Sequence, residues 1–496
     1  MEETNELNDQ IAQRLKKIEK LKEIGVPPYG TQFKVSDSIN DLISKYSGFN
    51  RDQLHEKQIS TVIAGRIMTS RRFGKAAFAH IQDHSAKIQV YFKKDLLGDK
   101  QFQIFELLDL GDIVGIEGHL FRTKTDELTI EVTTLSFLTK SLRPLPEKWH
   151  GLTDVETRYR RRYLDLIVNP DVKETFLKRI KIIEIIRNYL IEKGFIEVET
   201  PMMQSKAGGA AAKPFITHHQ ALNIPLYLRI APELFLKRLI VGGFDRVFEI
   251  NRNFRNEGIS TTHNPEFTML EFYMAYANYD DLMHLTEDLI ASVAKKILGK
   301  LSFAYDGVEI DLNPPWKRLS YYGGLESYTS FNPKMAQDRK AIIGLAHENH
   351  LKFEENLSTA HILNLIFEAK VEPHLTQPTF VIDFPTEISP LARRKDDNPS
   401  LTERFELFVV SREIANAFSE LNDPIDQRKR FEDQMALKAA GDVEAHDVDE
   451  DFLQALEYGM PPTAGEGIGI DRLVMLLTQS VSIRDVILFP QMKPEK

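Results

Sequence analysis

Between Val247 and Tyr276 the chain runs apolar, then polar, then apolar again, an order that few folds accommodate. Val247-Phe248-Glu249-Ile250 and the run from Phe267 to Tyr276 are rich in apolar and aromatic residues, as strands are. Asn256, Gly258, Ser260, Thr261, Thr262 and Asn264-Pro265 between them read as a loop. The pattern predicts two strands and a connecting loop that carries Arg255, Glu257 and His263. Alternation along the second strand puts Phe267, Met269, Glu271 and Tyr273 on one face. Thr268, Leu270, Phe272 and Met274 share the other, which is core. A face mixing an aromatic, a thioether, a carboxylate and a phenol makes poor core. It makes a good pocket wall for a cationic, partly planar ligand.

A length of 496 residues calls for two or more domains. No cysteine is present, which excludes disulfides, thiolate zinc sites and cysteine nucleophiles and fits a reducing compartment. The start, Met1 to Glu6, is acidic and polar, unlike a signal peptide, and no apolar run is long enough to span a membrane. A cytoplasmic location with no membrane contact is therefore expected. The net charge of -10 argues against a protein that coats nucleic acid indiscriminately. That charge is uneven: residues 1–150 carry +1 and the remainder -11, so a nucleic acid meets its least hostile surface at the front.

Leu7, Ile11, Leu15, Ile18 and Leu21 follow helical spacing up to Gly25, Pro27 and Pro28. Lys16, Lys17, Lys20 and Lys22 crowd the other face, either solvated or touching phosphates. Five short β-like runs follow: Thr61–Met68, Ala76–Gln82, Lys87–Phe92, Asp112–His119 and Leu128–Val132. They suggest a small barrel, with an OB-fold the commonest candidate. Leu142 to Gly151 breaks all periodicity, and a basic, aromatic cluster from Thr157 to Tyr163 comes next. A long helix is expected from Asp171 to Lys193, then a strand from Phe195 to Pro201. Strands and helices then mix without βαβ regularity, so the large domain reads as α+β with an antiparallel sheet flanked by helices. The expected division is a helix-plus-barrel domain over 1–140, a linker over 141–165 and a large domain over 166–496, with a helical insertion near 314–375.

Neither Gly-Lys pair is followed by Ser or Thr, so no P-loop is present, and His347-Glu348-Asn349-His350 has the wrong spacing for a zinc helix. Gly465-Glu466-Gly467-Ile468-Gly469-Ile470-Asp471-Arg472 precedes an apolar helical run. Glycines there let another group approach the backbone. Arg472 and Arg255, on separate elements, suit a clamp on a polyphosphate. Glu406, Glu413 and Glu420 recur every seven residues, with Asn416 among them, and a turn near Ser411 would fold Glu406 toward Glu413. Paired carboxylates without His or Cys suit a hard cation such as Mg²⁺.

With these segments in hand, a resemblance is plain. Phe254-Arg255-Asn256-Glu257 resembles motif 2 of class II aminoacyl-tRNA synthetases, and Gly467 to Arg472 resembles motif 3. The helix ending at Gly194 and the strand to Pro201 are similar to motif 1, the dimer element. Arg229 to Arg238, His263-Asn264-Pro265-Glu266-Phe267 and Pro461-Pro462-Thr463-Ala464-Gly465 resemble the lysyl-tRNA synthetases of bacterial type, over essentially the whole chain. The resemblance implies activation of L-lysine by ATP and its transfer to the 3′ end of tRNA(Lys), in a homodimer, with Mg²⁺. It implies catalytic roles for Arg255 and Arg472, and an ATP site of Arg255, Glu257, His263, Asn264, Phe267, Glu406, Glu413, Gly469 and Arg472. Glu406 and Glu413 would hold Mg²⁺. Gly209, Glu233, Arg255, Glu271, Tyr273, Asn416 and Glu420 would bind lysine, and Phe78, Gln89 and Glu127 would read the anticodon. Two alternatives stay open at this point: a paralogue that uses the same adenylate to modify a protein lysine, and a non-enzymatic RNA-binding module that has kept the fold.

Overall fold

The computed structural model describes residues 2–146, 152–210, 212–354, 357–439 and 448–495. The chain divides into two compact units, Met1–Thr153 and Asp154–Lys496.

In the first unit, strands Ser60–Phe73, Ala76–Gln82, Lys87–Lys93, Ile113–Arg122 and Leu128–Thr139 close a five-stranded barrel. Inward alternation fills it with Ile63, Val90, Phe92, Val114, Ile116, Ile130 and Val132. The first strand runs further than its apolar pattern suggested. A bulge between Ile67 and Thr69 bends it, so that Arg71 to Phe73 still pair with Phe78 to Ala76. The amino-terminal helix Glu2–Glu23 turns Lys17 onto Asp109 at 2.6 Å, so one lysine of its basic face is spent within the unit.

The second unit is built on an eight-stranded sheet. Its order is Lys317–Ser320, Thr379–Ile382, Arg404–Val409, Arg412–Ser419, Thr463–Gly469, Glu266–Ala275, Arg246–Phe254 and Ile196–Glu197. The interior pairings are antiparallel and the two outermost are parallel. Helices Pro170–Glu192, Tyr279–Leu298 and Ile470–Thr478 cover one face through a shared apolar core. The strand expected over 195–201 shrinks to Ile196–Glu197, which alone pair with Val247 and Phe248. The stretch expected to be a linker up to residue 165 is helical at its end. Asp154 caps Val155–Arg160, and Arg158 and Arg162 both bond Asp165, at 2.9 and 2.6 Å. Between Pro314 and Leu375, helices Tyr321–Tyr328, Arg339–Glu348 and Thr359–Lys370 pack a core of their own around Leu325, Ile342, Ile362 and Phe367. Among the described residues no helix is long and apolar enough to cross a membrane.

One buried acid lies beneath the glycine-rich strand. Both oxygens of Glu466 lie within 2.8 Å of the Thr286 hydroxyl, which also lies 2.7 Å from the Leu282 carbonyl. Thr286 has one proton to give. Burial pushes the Glu466 carboxyl from 4.5 up to about 8, so at neutral pH Glu466 donates to Thr286 and Thr286 to Leu282. The unfolded chain ionises this group near its ordinary value while the fold keeps the proton until about 8. Stability from this group therefore falls as pH rises through that window, by up to about 1.4 kcal/mol per unit. Glu466→Gln should flatten the pH dependence of unfolding between those limits, as read by denaturant titration. An unchanged slope would refute the protonated state.

Candidate active site

The pocket begins with strand Thr463–Gly469 in the middle of the sheet. Gly465 lies opposite Tyr273 on one side and Phe418 on the other, and Gly467 lies opposite Glu271 and Asn416. A Cβ on Gly465 would sit 2.2 Å from Glu420 Oε1 and 2.3 Å from Tyr273 Cε1, and one on Gly467 2.8 Å from Met269 Cε. These glycines are a bare floor over which the neighbouring strands lean their side chains. The face predicted from alternation is present: Leu270 and Phe272 are core, while Glu271 and Tyr273 turn to the opposite side.

Three buried carboxylates meet there. Glu233 opens helix Glu233–Val241, Glu271 comes from the strand beside the floor, and Glu420 directly follows the strand on its other side. Lys237, one turn after Glu233 and fully buried, donates to Glu233 Oε1 at 2.6 Å and pairs with Glu420. That second contact is a buried ion pair to Oε2, which leaves Glu420 Oε1 as the oxygen with an open acceptor site. The Tyr273 hydroxyl lies 3.4 Å from Glu271 Oε2. Burial, then the charges of Glu233 and Glu249, pushes the Glu271 carboxyl up to about 8. Burial also raises Glu420, against the pull of Lys237, whereas the two acids hold Lys237 above its ordinary value despite its burial. Three acids share one lysine ammonium, and the raised carboxyls hold protons that a further cation would displace. Gly209, in the left-handed region at φ 89°, approaches so closely that a Cβ would lie 3.1 Å from that of Glu233.

The arginine loop lies at the other end of the same strand pair. The Arg255 guanidinium sits 5.1 Å from the centre of the Phe267 ring, and its buried Nε has no partner. Arg472 donates to the Glu413 carbonyl at 2.7 Å and lies 3.2 Å from Glu413 Oε2. It also lies 3.4 Å from Nε2 of His263, whose pKa is lowered by burial and by that cation. Gly469 caps the helix that carries Arg472. Glu257 is exposed beside this group, whereas Asn264 is buried and bonds Glu266 and Gln491 backbone atoms, bracing the loop. Asp471 pins the whole arrangement, accepting from the Thr268 amide at 2.7 Å and from Arg179 at 2.5 Å.

Val410 and Ser411, both at positive φ, form the expected turn, and the hairpin sets Glu406 opposite Asn416 and Glu413 opposite Phe408. Burial, with Glu413 adding to it and Arg404 opposing, pushes Glu406 up to about 7. Glu372, from the segment between motifs 2 and 3, rises to about 8 through burial and the charges of Glu406, Glu368 and Glu413. Oxygen-only donors that repel one another fit a hard divalent cation. Among the described residues no group of three or more His, Cys, Asp or Glu is arranged to hold a metal ion.

In the first unit, Phe78, His80, Gln89 and Tyr91 share the outer face of two paired strands. The Phe78 and Tyr91 rings are 4.7 Å apart. Gln89 Nε2 donates to Glu127 at 2.7 Å, Thr129 donates to Gln89 Oε1 at 2.9 Å, and His80 lies 3.1 Å from the other Glu127 oxygen. All three residues expected at the anticodon therefore lie on one surface.

Comparison with known proteins agrees with this arrangement. Residues 154–493 match the model for "tRNA synthetases class II (D, K and N)". The chain belongs to that family. Residues 61–138 of this synthetase match the model for an OB-fold nucleic acid binding domain. Over 492 residues it is 56% identical to a lysine–tRNA ligase of Carboxydothermus hydrogenoformans, covering 99% of each chain. It is 54% identical to the lysine–tRNA ligases of Bacillus cereus and Bacillus anthracis, covering 98% of each.

Sequence reasoning passed over three residues at the synthetase's site. Lys237 stands four residues after Glu233, a spacing that pairs side chains on one helix face and was readable as such. Glu372 gave no local signal, because Glu406 and Glu413 come from another segment, whereas Arg404 stands two residues before Glu406, the same-face spacing of a strand. Replacing Lys237 with Met leaves buried acids without their cation and should cost about 3–5 kcal/mol of stability in the second unit. Chemical denaturation followed by far-UV CD reads this. A loss below about 1 kcal/mol would show that protonation of the acids already replaces the lysine.

Proposed function

We propose that this synthetase is a lysine–tRNA ligase of bacterial type, which forms lysyl-adenylate from L-lysine and ATP and transfers lysine to the 3′ end of tRNA(Lys). The observation that carries the reading is the charge of the buried pocket, where Glu233, Glu271 and Glu420 face the lone ammonium of Lys237. A ligand with a terminal ammonium lets these acids ionise and supplies three donors, which Glu420 Oε1 and the Tyr273 hydroxyl accept. The side chains of aspartate and asparagine would leave the acids unbalanced. The full-length relatives named lysine–tRNA ligase support the same substrate.

In this mechanism Gly209 and Glu233 receive the α-amino group, while Glu271, Tyr273, Asn416 and Glu420 line the side chain. Arg255 holds the lysine carboxylate and the α-phosphate. Phe267 and Arg472 flank the adenine, with Glu257, His263, Asn264 and Gly469 completing the ATP site. A carboxylate oxygen attacks the α-phosphorus in line as the bond to the leaving pyrophosphate breaks. The terminal ribose hydroxyl of tRNA then attacks the lysyl carbonyl, loses its proton, and AMP departs. No protein nucleophile takes part. The Arg255 guanidinium, stacked on Phe267 with an unpartnered N–H, is aimed before charge develops. Glu406 and Glu413 would hold Mg²⁺, which neutralises phosphate charge when bound.

The barrel unit serves as the anticodon-binding domain: Phe78 stacks an unpaired base, and Gln89 and Glu127 read its edge. That surface counts against the protein-modifying alternative, which has no anticodon to read. The activity places the protein in the cytoplasm. Leu177, Ile180 and Ile191 lie exposed along helix Pro170–Glu192, and we assign this apolar face to a homodimer contact.

Lysine should support ATP–pyrophosphate exchange; exchange with aspartate or asparagine and none with lysine would overturn the assignment. Because free Glu271 titrates near 8 and its charged form pairs with an ammonium, lysine affinity should rise between about pH 7 and 8.5. Calorimetry in buffers of different ionisation heat should show proton release on binding, absent in Glu271→Gln. A separate expectation concerns assembly: Leu177→Glu combined with Ile180→Glu should shift the mass measured by light scattering from dimer to monomer.

A further inference from the structure

Arg404 lies between the two substrate sites and belongs to neither of the sets described above. It stands two residues before Glu406 on the same strand, and Asn416 is paired directly opposite Glu406. Its Nε donates to Asn416 Oδ1 at 3.0 Å and its Nη2 to Glu406 Oε1 at 2.5 Å. Nη1 is anchored on the Ile388 carbonyl at 2.7 Å and the Ser389 hydroxyl at 3.0 Å, and the guanidinium lies 4.6 Å from the centre of the Phe384 ring. All three nitrogens are engaged, and the side chain is only 14% exposed.

Each contact has a chemical consequence. Arginine has donors and no acceptor, so Asn416 must turn its oxygen toward Arg404 and its NH₂ the other way. The NH₂ is thereby left free of Arg404, on a residue paired opposite Gly467 of the pocket floor. At Glu406 the same guanidinium occupies one oxygen and leaves the second for a cation. A planar fork fixed by stacking and by the Ile388 carbonyl and Ser389 hydroxyl sets the angle of both partners at once, which a lysine could not do.

We infer that Arg404 is a positioning residue that couples the lysine site to the metal–phosphate site, by orienting Asn416 for one and Glu406 for the other. This rests on the site assignment proposed above. The residues next to a metal's own ligands commonly shift its affinity by about 10–100-fold, and that is the scale expected here.

The test uses the full chain with Arg404→Gln and Arg404→Lys. Two binding measurements are made: L-lysine by calorimetry without nucleotide or metal, and Mn²⁺ by electron paramagnetic resonance with a non-hydrolysable ATP analogue. Arg404→Gln should weaken both by about tenfold or more, and Arg404→Lys should restore at most one of them. A folded Arg404→Gln protein that changes one affinity and leaves the other within twofold overturns the coupling. Asn416→Ala and Glu406→Gln keep Arg404 in place and cover the case in which its loss unfolds the chain. Coupling requires Asn416→Ala to shift Mn²⁺ affinity and Glu406→Gln to shift lysine affinity, and the absence of both cross-effects also overturns it. If Asn416→Ala leaves lysine affinity untouched, the pocket assignment fails instead. A purely structural arginine would lower the melting temperature and produce neither cross-effect.

Discussion

The bare backbone of Gly465 and Gly467 in the middle of an eight-stranded sheet is the constraint on which the site depends. A sheet normally fills both faces with side chains. Here one strand withholds them, and a Cβ at Gly465 would fall within 2.3 Å of both the Glu420 carboxylate and the Tyr273 ring. The trench has walls only because its neighbours pair in the register that sets Tyr273 and Glu271 beside the two glycines. The other face of the same strand is ordinary core, with Ile468 and Ala464 fully buried. A site built on paired strands is held more rigidly than one on loops, which suits catalysis by positioning.

Electrostatics give the trench its selectivity at a cost in stability. Glu233, Glu271 and Glu420 are nearly out of reach of water, and burial alone raises the pKa of each. Lys237 offsets part of that charge from within. On the proposed reading, a ligand ammonium lets the remaining acids ionise. On the same reading, a divalent ion would relieve the repulsion between Glu406 and Glu413. Arg404 touches both regions, so the charge balance of one is tied to the geometry of the other.

The barrel unit works by different physics. Its interior is closed and apolar, and its outer face carries stacked rings beside a chain of hydrogen bonds from Thr129 through Gln89 to Glu127 and His80. In the proposed anticodon role, stacking would accept any base, and the fixed amide and carboxylate would discriminate between edges. Its near-neutral charge, against the strongly acidic remainder of the chain, leaves this surface the more open to a polyanion.

Local pattern marked the strands of the barrel and of the arginine loop, the alternation along Phe267 to Tyr273 and the turn at Ser411, because alternation and turn chemistry are set within a few residues, whereas closing the barrel pairs Ser60 with His119. The family resemblance, rather than local pattern, implied most of the candidate site residues. Pairing across the sheet decided the rest. The short edge strand at Ile196–Glu197 has only two partners, which no propensity reveals. Asn264 carries a polar side chain that the fold spends on Gln491, 227 residues away. Lys237 was readable from its place one turn after Glu233, but its second partner, Glu420, is supplied by another segment. Glu372 was silent for the same reason, whereas Arg404 stood two residues from Glu406 at the same-face spacing of a strand. Sequence determines which groups a strand or helix presents on each face; only tertiary structure decides which buried charges meet, because that depends on register between segments far apart in the chain.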